Sequence, residues 1–66
     1  MRIMVNGQWQ QQNDGLNVAV LLEKLSLEPR RVAVELNKQL LPRARYAQTA
    51  LAEDDQLEIV TLVGGG

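Results

Sequence analysis

Hydrophobic and polar positions along this chain alternate in short stretches, and a single stretch carries the period of a helix. Arg2 to Val5, then Asn6-Gly7, then Gln8 to Gln12 reads as a β-hairpin. Asn-Gly is the pair that best tolerates the positive φ angles of a two-residue type I′ turn. In that register Val5 pairs with Gln8 and Met4 with Trp9, so Ile3 and Val5 face the core while Met4 and Trp9 share the opposite face. The same register sets Gln10 and Gln12 on the core side. A three-residue turn would avoid that conflict by bringing Trp9 inside; the two-residue register is preferred. From residue 17 to 27 the pattern changes. Val18, Leu21, Leu22 and Leu25 recur at the spacing of one helical face. Asn17 is a good N-cap, Leu16 and Leu21 stand at hydrophobic-staple positions, Glu23 and Lys24 point to water, and Pro29 prevents the helix from running on.

Alternation then returns. Val32, Val34 and Leu36 against Ala33, Glu35 and Asn37 describe a half-buried strand over Arg31 to Asn37. Asn37-Lys38-Gln39 turns the chain into a short strand at Leu40-Leu41, closed by Pro42. Residues 43–52 read as irregular or a single helical turn, and Glu53-Asp54-Asp55 as a turn. A last strand runs from Gln56 to Val63, with Leu57, Ile59 and Val63 on one face. The order β-β-α-β-β-β predicts an α+β chain of the β-grasp (ubiquitin-like) class. In that arrangement a mixed five-stranded sheet holds its first and last strands parallel in the middle, and the one main helix packs on one face. The domain is expected to span residues 1–63, with residues 64–66 as a flexible glycine tail.

Composition narrows what such a domain does. At 66 residues it buries only about 60 % of the surface of its unfolded chain, so one aliphatic core must hold it. With no Cys and no His, neither disulfides nor a structural zinc site is expected. So small a fold has little room for a walled pocket, which argues against an enzyme. A net charge of −1 with only local basic clusters gives no nucleic-acid footprint. No apolar run is long enough for a signal peptide or a membrane span, so a cytoplasmic protein is expected.

The chain ends Val63-Gly64-Gly65-Gly66. At ordinary glycine usage a run of three at a chosen place arises about three times in ten thousand. A frayed terminus is the bland alternative, but it leaves unexplained why the glycines abut a strongly apolar strand. Glycine lacks Cβ, so such a tail is thin enough to enter a narrow channel in a partner enzyme and present its carboxylate there. A carboxylate is a poor acyl donor until ATP converts it to an acyl-adenylate, from which a sulfur nucleophile displaces AMP. The resulting thiocarboxylate is a nucleophile carried on the main chain. With no Cys to hold sulfur, the α-carboxyl of Gly66 is the plausible carrier.

The element order, Val32 to Asn37, Pro42-Arg43 followed by Tyr46, and Asp55 to Val60 leading to Val63-Gly64-Gly65-Gly66 resemble the ThiS family over the whole chain. That family comprises the sulfur carriers of thiamine thiazole biosynthesis. The resemblance implies that an E1-like adenylyltransferase activates Gly66 with ATP, that a cysteine desulfurase system supplies sulfur, and that thiazole synthase receives it. Gly64 and Gly65 would serve tail recognition, and the carrier itself needs no cofactor or metal. Val20, where a glutamate is frequent, and Gln10 and Gln12, where an apolar residue is frequent, depart from the pattern. A carrier for molybdopterin or cysteine synthesis, and a ubiquitin-like protein modifier, are the alternatives.

Val60 and Leu62 alternate away from the helix side, and Met4 and Trp9 join them on the open face as a candidate docking surface. Glu53, Asp54, Asp55 and Glu58 read as a solvated acidic turn and strand rather than a metal site. Arg30, Arg31, Arg43 and Arg45 read as ordinary exposed charges.

Overall fold

In a computed structural model, residues 1–63 are described. The predicted tail, Gly64-Gly65-Gly66, lies outside the described residues, and with it the division into a domain and a tail. The strands are β1 (Arg2–Val5), β2 (Gln8–Gln11), β3 (Val32–Leu36), β4 (Gln39–Leu41) and β5 (Gln56–Thr61), with helix α1 (Val18–Lys24) between β2 and β3. Short 3₁₀ segments at Pro29–Arg31 and Arg43–Gln48 precede β3 and follow β4. The sheet order is β2-β1-β5-β3-β4, with β1 parallel to β5 and the other pairs antiparallel.

The first hairpin takes the two-residue register, Met4 opposite Trp9 and Val5 opposite Gln8. Asn6 and Gly7 adopt φ of 50° and 83°, as a type I′ turn requires. Ile3 and Val5 are buried and Trp9 is 42 % exposed. The conflict at Gln10 and Gln12 is resolved locally. Both are half-buried at the sheet edge, and the Gln12 amide donates to Gln10 Oε1 at 3.2 Å.

Helix α1 starts as expected. Asn17 Oδ1 accepts from the Val20 N–H at 2.8 Å, and Leu16 is buried beside Leu21. The expected C-terminus near residue 27 is too late. Helical structure stops at Lys24 because Ser26 turns to φ 60°. The Leu27 and Ser26 N–H groups then reach back to the carbonyls of Leu22 and Glu23 at 2.9 and 3.0 Å. That pairing is a Schellman cap, with serine where glycine is usual. Pro29 only opens the following 3₁₀ segment.

Ile3, Val5, Val34, Leu57 and Ile59 of the sheet pack with Val18, Leu21 and Leu22 of the helix in one buried cluster. The segment between β4 and β5, read as irregular or a single helical turn, holds the 3₁₀ segment and adds Tyr46 and Leu51 to that cluster. It is tied to the helix start by Val18 N–H to Thr49 O at 3.1 Å and Leu51 N–H to Leu16 O at 2.8 Å.

The last strand also ends earlier than expected. It stops at Thr61, and Val63, predicted to share the face of Leu57 and Ile59, is 98 % exposed. Thr61 pairs with Val32, the first residue of β3. Beyond it the neighbouring chain is already the 3₁₀ turn, so Leu62 finds one final rung, its N–H to Arg31 O at 2.7 Å. Past that rung no strand remains for Val63 to pair with. Among the described residues no helix is long and apolar enough to cross a membrane.

Candidate functional site

The site begins where β5 leaves the sheet. As the central strand, β5 is bonded to β1 on one side and β3 on the other, and two asparagines in hairpin turns hold it further. Asn6 accepts from the Ile59 N–H at 2.7 Å and donates to the Ile59 carbonyl at 3.1 Å. Its side-chain amide thereby imitates the next residue of β1 and adds a rung to the parallel ladder after the Met4 and Asn6 N–H groups have bonded Asp55 and Leu57. Asn37 accepts from the Gln56 N–H at 3.0 Å, and its amide donates to Asp55 Oδ1 at 3.1 Å. The strand that delivers the chain terminus is therefore fixed at its start and its middle.

The predicted docking residues separate into two groups. Val60 and Leu62 are 58 % and 49 % exposed at the end of β5. Met4, half-buried, pairs with Gln56 at the opposite end of the strand, and Trp9 lies one strand further out. Trp9 already has a neighbour. The Arg2 guanidinium stacks 3.9 Å from its ring centroid, and Asp54 Oδ1 holds that guanidinium at 2.7 and 3.0 Å. Gly64, Gly65 and Gly66 lie outside the described residues.

The acidic turn has structural work. Glu53 accepts from the Arg2 backbone N–H at 2.9 Å, Asp54 pairs with Arg2, and Asp55 Oδ2 accepts from the Ala52 N–H at 2.8 Å. Arg30, Arg31, Arg43 and Arg45 are exposed.

Two open-face residues, Leu40 and Glu35, were not singled out in the sequence, and Glu58 was read there only as part of a solvated acidic stretch. Leu40 is 71 % exposed and sits opposite Glu35 on β3, which sits opposite Glu58 on β5. Alternation marks each of them as outward-facing, but only the strand order and register bring them side by side.

A central parallel β1–β5 pair in a five-stranded mixed sheet and one covering helix define a ubiquitin-like β-grasp domain. The ThiS family profile matches residues 3–66, and the chain belongs to the ThiS family. It is 33 % identical to the sulfur carrier protein ThiS of Escherichia coli K12, each chain covered in full. The crystal structure of the thiamine biosynthesis protein ThiS from Geobacter metallireducens superposes with a TM-score of 0.86 at 33 % identity, again over the whole of both chains. A thiazole synthase of Paramagnetospirillum magneticum is 39 % identical over 66 residues, and there the chain spans only 20 % of that protein's length.

Proposed function

We propose that this chain is a sulfur carrier of thiamine biosynthesis and that the Gly66 carboxylate carries the sulfur. The observation that supports this most strongly is the end-to-end correspondence with a sulfur carrier of the same length, within a family match that runs through Gly66.

The chemistry is written on the main-chain terminus. A Gly66 carboxylate oxygen attacks the α-phosphorus of ATP, pyrophosphate leaves, and the mixed anhydride with AMP forms. The outer sulfur of a persulfide, delivered by a cysteine desulfurase system, attacks the carbonyl carbon, and AMP leaves with the former carboxylate oxygen. A thiol then cleaves the acyl disulfide, leaving as a disulfide with the persulfide's inner sulfur. The thiocarboxylate that remains is the sulfur donor for thiazole synthase. An E1-like adenylyltransferase carries out the activation, and ATP belongs to that partner. The occurrence of a similar segment inside proteins named thiazole synthase supports the synthase as the receiving partner. Gly64 and Gly65 keep the tail narrow enough to enter both partners, and exposed Val60 and Leu62 offer them an apolar foothold beside it.

The test is the intact mass of the protein after incubation with its adenylating enzyme, ATP and a sulfur source. The expected change is replacement of one oxygen by sulfur, localised to Gly66 by fragmentation. Lasting attachment to other proteins would make the chain a modifier, and an unaltered mass would leave the terminus without this chemistry.

A further inference from the structure

The sheet has two edges, β2 and β4. An uncovered edge offers unpaired N–H and C=O groups to any strand that meets it, so edges are ordinarily blunted by charge, proline or shortness. β4 is blunted in all three ways. It has three residues, Lys38 precedes it and Pro42 ends it. Gln39 and Leu41 bond inwards to β3, and only Leu40 turns its backbone outwards.

β2 has no charge and no proline to guard it. From Gln8 to Asn13 the chain reads Gln-Trp-Gln-Gln-Gln-Asn. Its inner side is settled, because the Gln12 N–H donates to the Met1 carbonyl at 2.9 Å and the Met1 ammonium to the Gln12 carbonyl at 2.7 Å. Hydrogen-bonded pairs alternate along an antiparallel ladder, so Gln8 and Gln10 bond inwards as Gln12 does. Trp9 and Gln11 therefore turn their N–H and C=O groups away from β1, and among the described residues no strand lies on that side.

This free edge is complementary to itself. When a second copy runs antiparallel with Gln10 opposite Gln10, Trp9 faces the second copy's Gln11 and Gln11 faces its Trp9. Each of those pairs exchanges two hydrogen bonds, so one two-fold axis through Gln10 satisfies every outward backbone group of the strand. Shifting the register by one rung loses half of them. It sets Trp9 or Gln11 against its own copy and sends the other against Gly7, in the turn at φ 83°, or Asn13, beyond the strand.

The side chains suit the same occupant. The edge residues on both copies are uncharged, so no like charges meet directly across the seam. The Trp9 ring, 42 % exposed on the open face, gains the second copy's Gln11 as a neighbour. Because β1 is antiparallel to β2 and parallel to β5, the two β5 strands end on opposite sides of the joined sheet, and Val60 and Leu62 of both copies stay uncovered.

We propose that β2 is a self-association edge, on which two copies of this chain pair antiparallel about Gln10 into one continuous sheet. The contact is a single short strand from each copy, far below the roughly 1,200 Å² of a standard stable interface, so the dimer is weak and reversible. The inference stands on the sheet register and does not use the sulfur-carrier reading.

The experiment records backbone amide NMR spectra and sedimentation equilibrium of the full chain from about 0.02 to about 2 mM, a range that brackets weak association. Rising concentration should move the Trp9 and Gln11 amide signals and slow their hydrogen exchange several-fold. Exchange at Gln10, already bonded to β1, and at Leu40, on the other edge, should stay as it was. Emission from the single tryptophan should shift to the blue over the same range. Gln11→Pro removes an outward donor and no inward bond, which an edge strand tolerates, so the variant should keep its Tm and stay monomeric at about 2 mM. Gln10→Glu keeps the oxygen that accepts from Gln12 but sets two carboxylates against each other across the two-fold axis. Its dissociation constant should rise about tenfold, and added salt should recover part of the loss. A wild type that is monomeric throughout, with the Trp9 and Gln11 amides unmoved, overturns the proposal. So does a dimer unaltered in Gln10→Glu, which decides alone if Gln11→Pro fails to fold. Association that protects Leu40 instead overturns it as well, by placing the contact on β4.

Discussion

At the scale of single residues, two side chains do more than their type suggests. Asn6 supplies a left-handed turn position and, through its amide, a rung to Ile59 on β5. An Asn6→Asp substitution keeps the acceptor for the Ile59 N–H but replaces the donor with a second oxygen facing the Ile59 carbonyl. Denaturant unfolding at neutral pH should show a loss of about 1–3 kcal/mol. Only the protonated acid can restore the donor, so folding raises the pKa of the introduced carboxyl. The variant's deficit should therefore shrink as pH falls through that raised value and level off below about 4, where the unfolded carboxyl is protonated as well. Tyr46 is the single tyrosine. Burial pushes its phenol above the ordinary value, against the opposing pull of Arg43 and a Val34 backbone hydrogen bond. A group with a raised folded pKa gives its stabilisation in full below the unfolded value, about 10, and loses it as pH climbs through the folded one. Alkaline unfolding should thus set in above that pH, and Tyr46→Phe should flatten that limb of the curve. Tyrosinate absorbance, free of other tyrosines, follows the same event directly.

At the scale of elements, the sequence declared those whose turn chemistry and period agree. Asn6-Gly7 specified its register, and Asn17 with Leu16 and Leu21 specified the helix start. Residues 43–52 were legible only as an irregular stretch or a single helical turn, which the 3₁₀ segment Arg43–Gln48 meets, and their place in the core was not legible. A 3₁₀ segment has no 3.6-residue period to display, and Tyr46 and Leu51 reach the core from an irregular path that only tertiary packing fixes. The two late boundaries share another cause. Strand β5 stops where its neighbour stops being a strand, which no local signal reports. Helix α1 stops because Ser26 accepts a left-handed φ of 60°, a conformation in which serine gives little warning. That last feature is testable. The left-handed region costs a non-glycine residue about 1 kcal/mol, part of which glycine returns through its freer unfolded chain. Ser26→Gly should stabilise the protein by about 0.5 kcal/mol, or a Tm rise of ~2–4 °C in a domain of this size. A fall in Tm would mean that the serine hydroxyl does something the cap does not need.

At the scale of the whole molecule, the fold and the proposed chemistry occupy different parts of the chain. Among the described residues the buried cluster is built between Ile3 and Ile59, and the last backbone rung is at Leu62. The site was legible in the sequence as far as it is linear, through the glycines and the alternation of Val60 and Leu62. The neighbours Glu35, Glu58 and Leu40 come together only through strand order, which one sequence does not print. This division predicts that the terminus can be altered without touching the domain. Removing Gly66 leaves the core and the sheet bonds of the described residues intact, so Tm and denaturant midpoint should stay within error of the wild type. Adenylation should fall to background all the same, because the new terminal carboxylate sits one residue, about 3.5 Å, short of the full-length position. Reacting atoms must meet within about 3–3.5 Å, and misplacement by about 1 Å already costs about a hundredfold. Thermal melting and pyrophosphate release on the same sample decide it. A truncated chain that melts markedly earlier would tie Gly66 to the fold, and one that is adenylated at the wild-type rate would remove the last carboxylate from the mechanism.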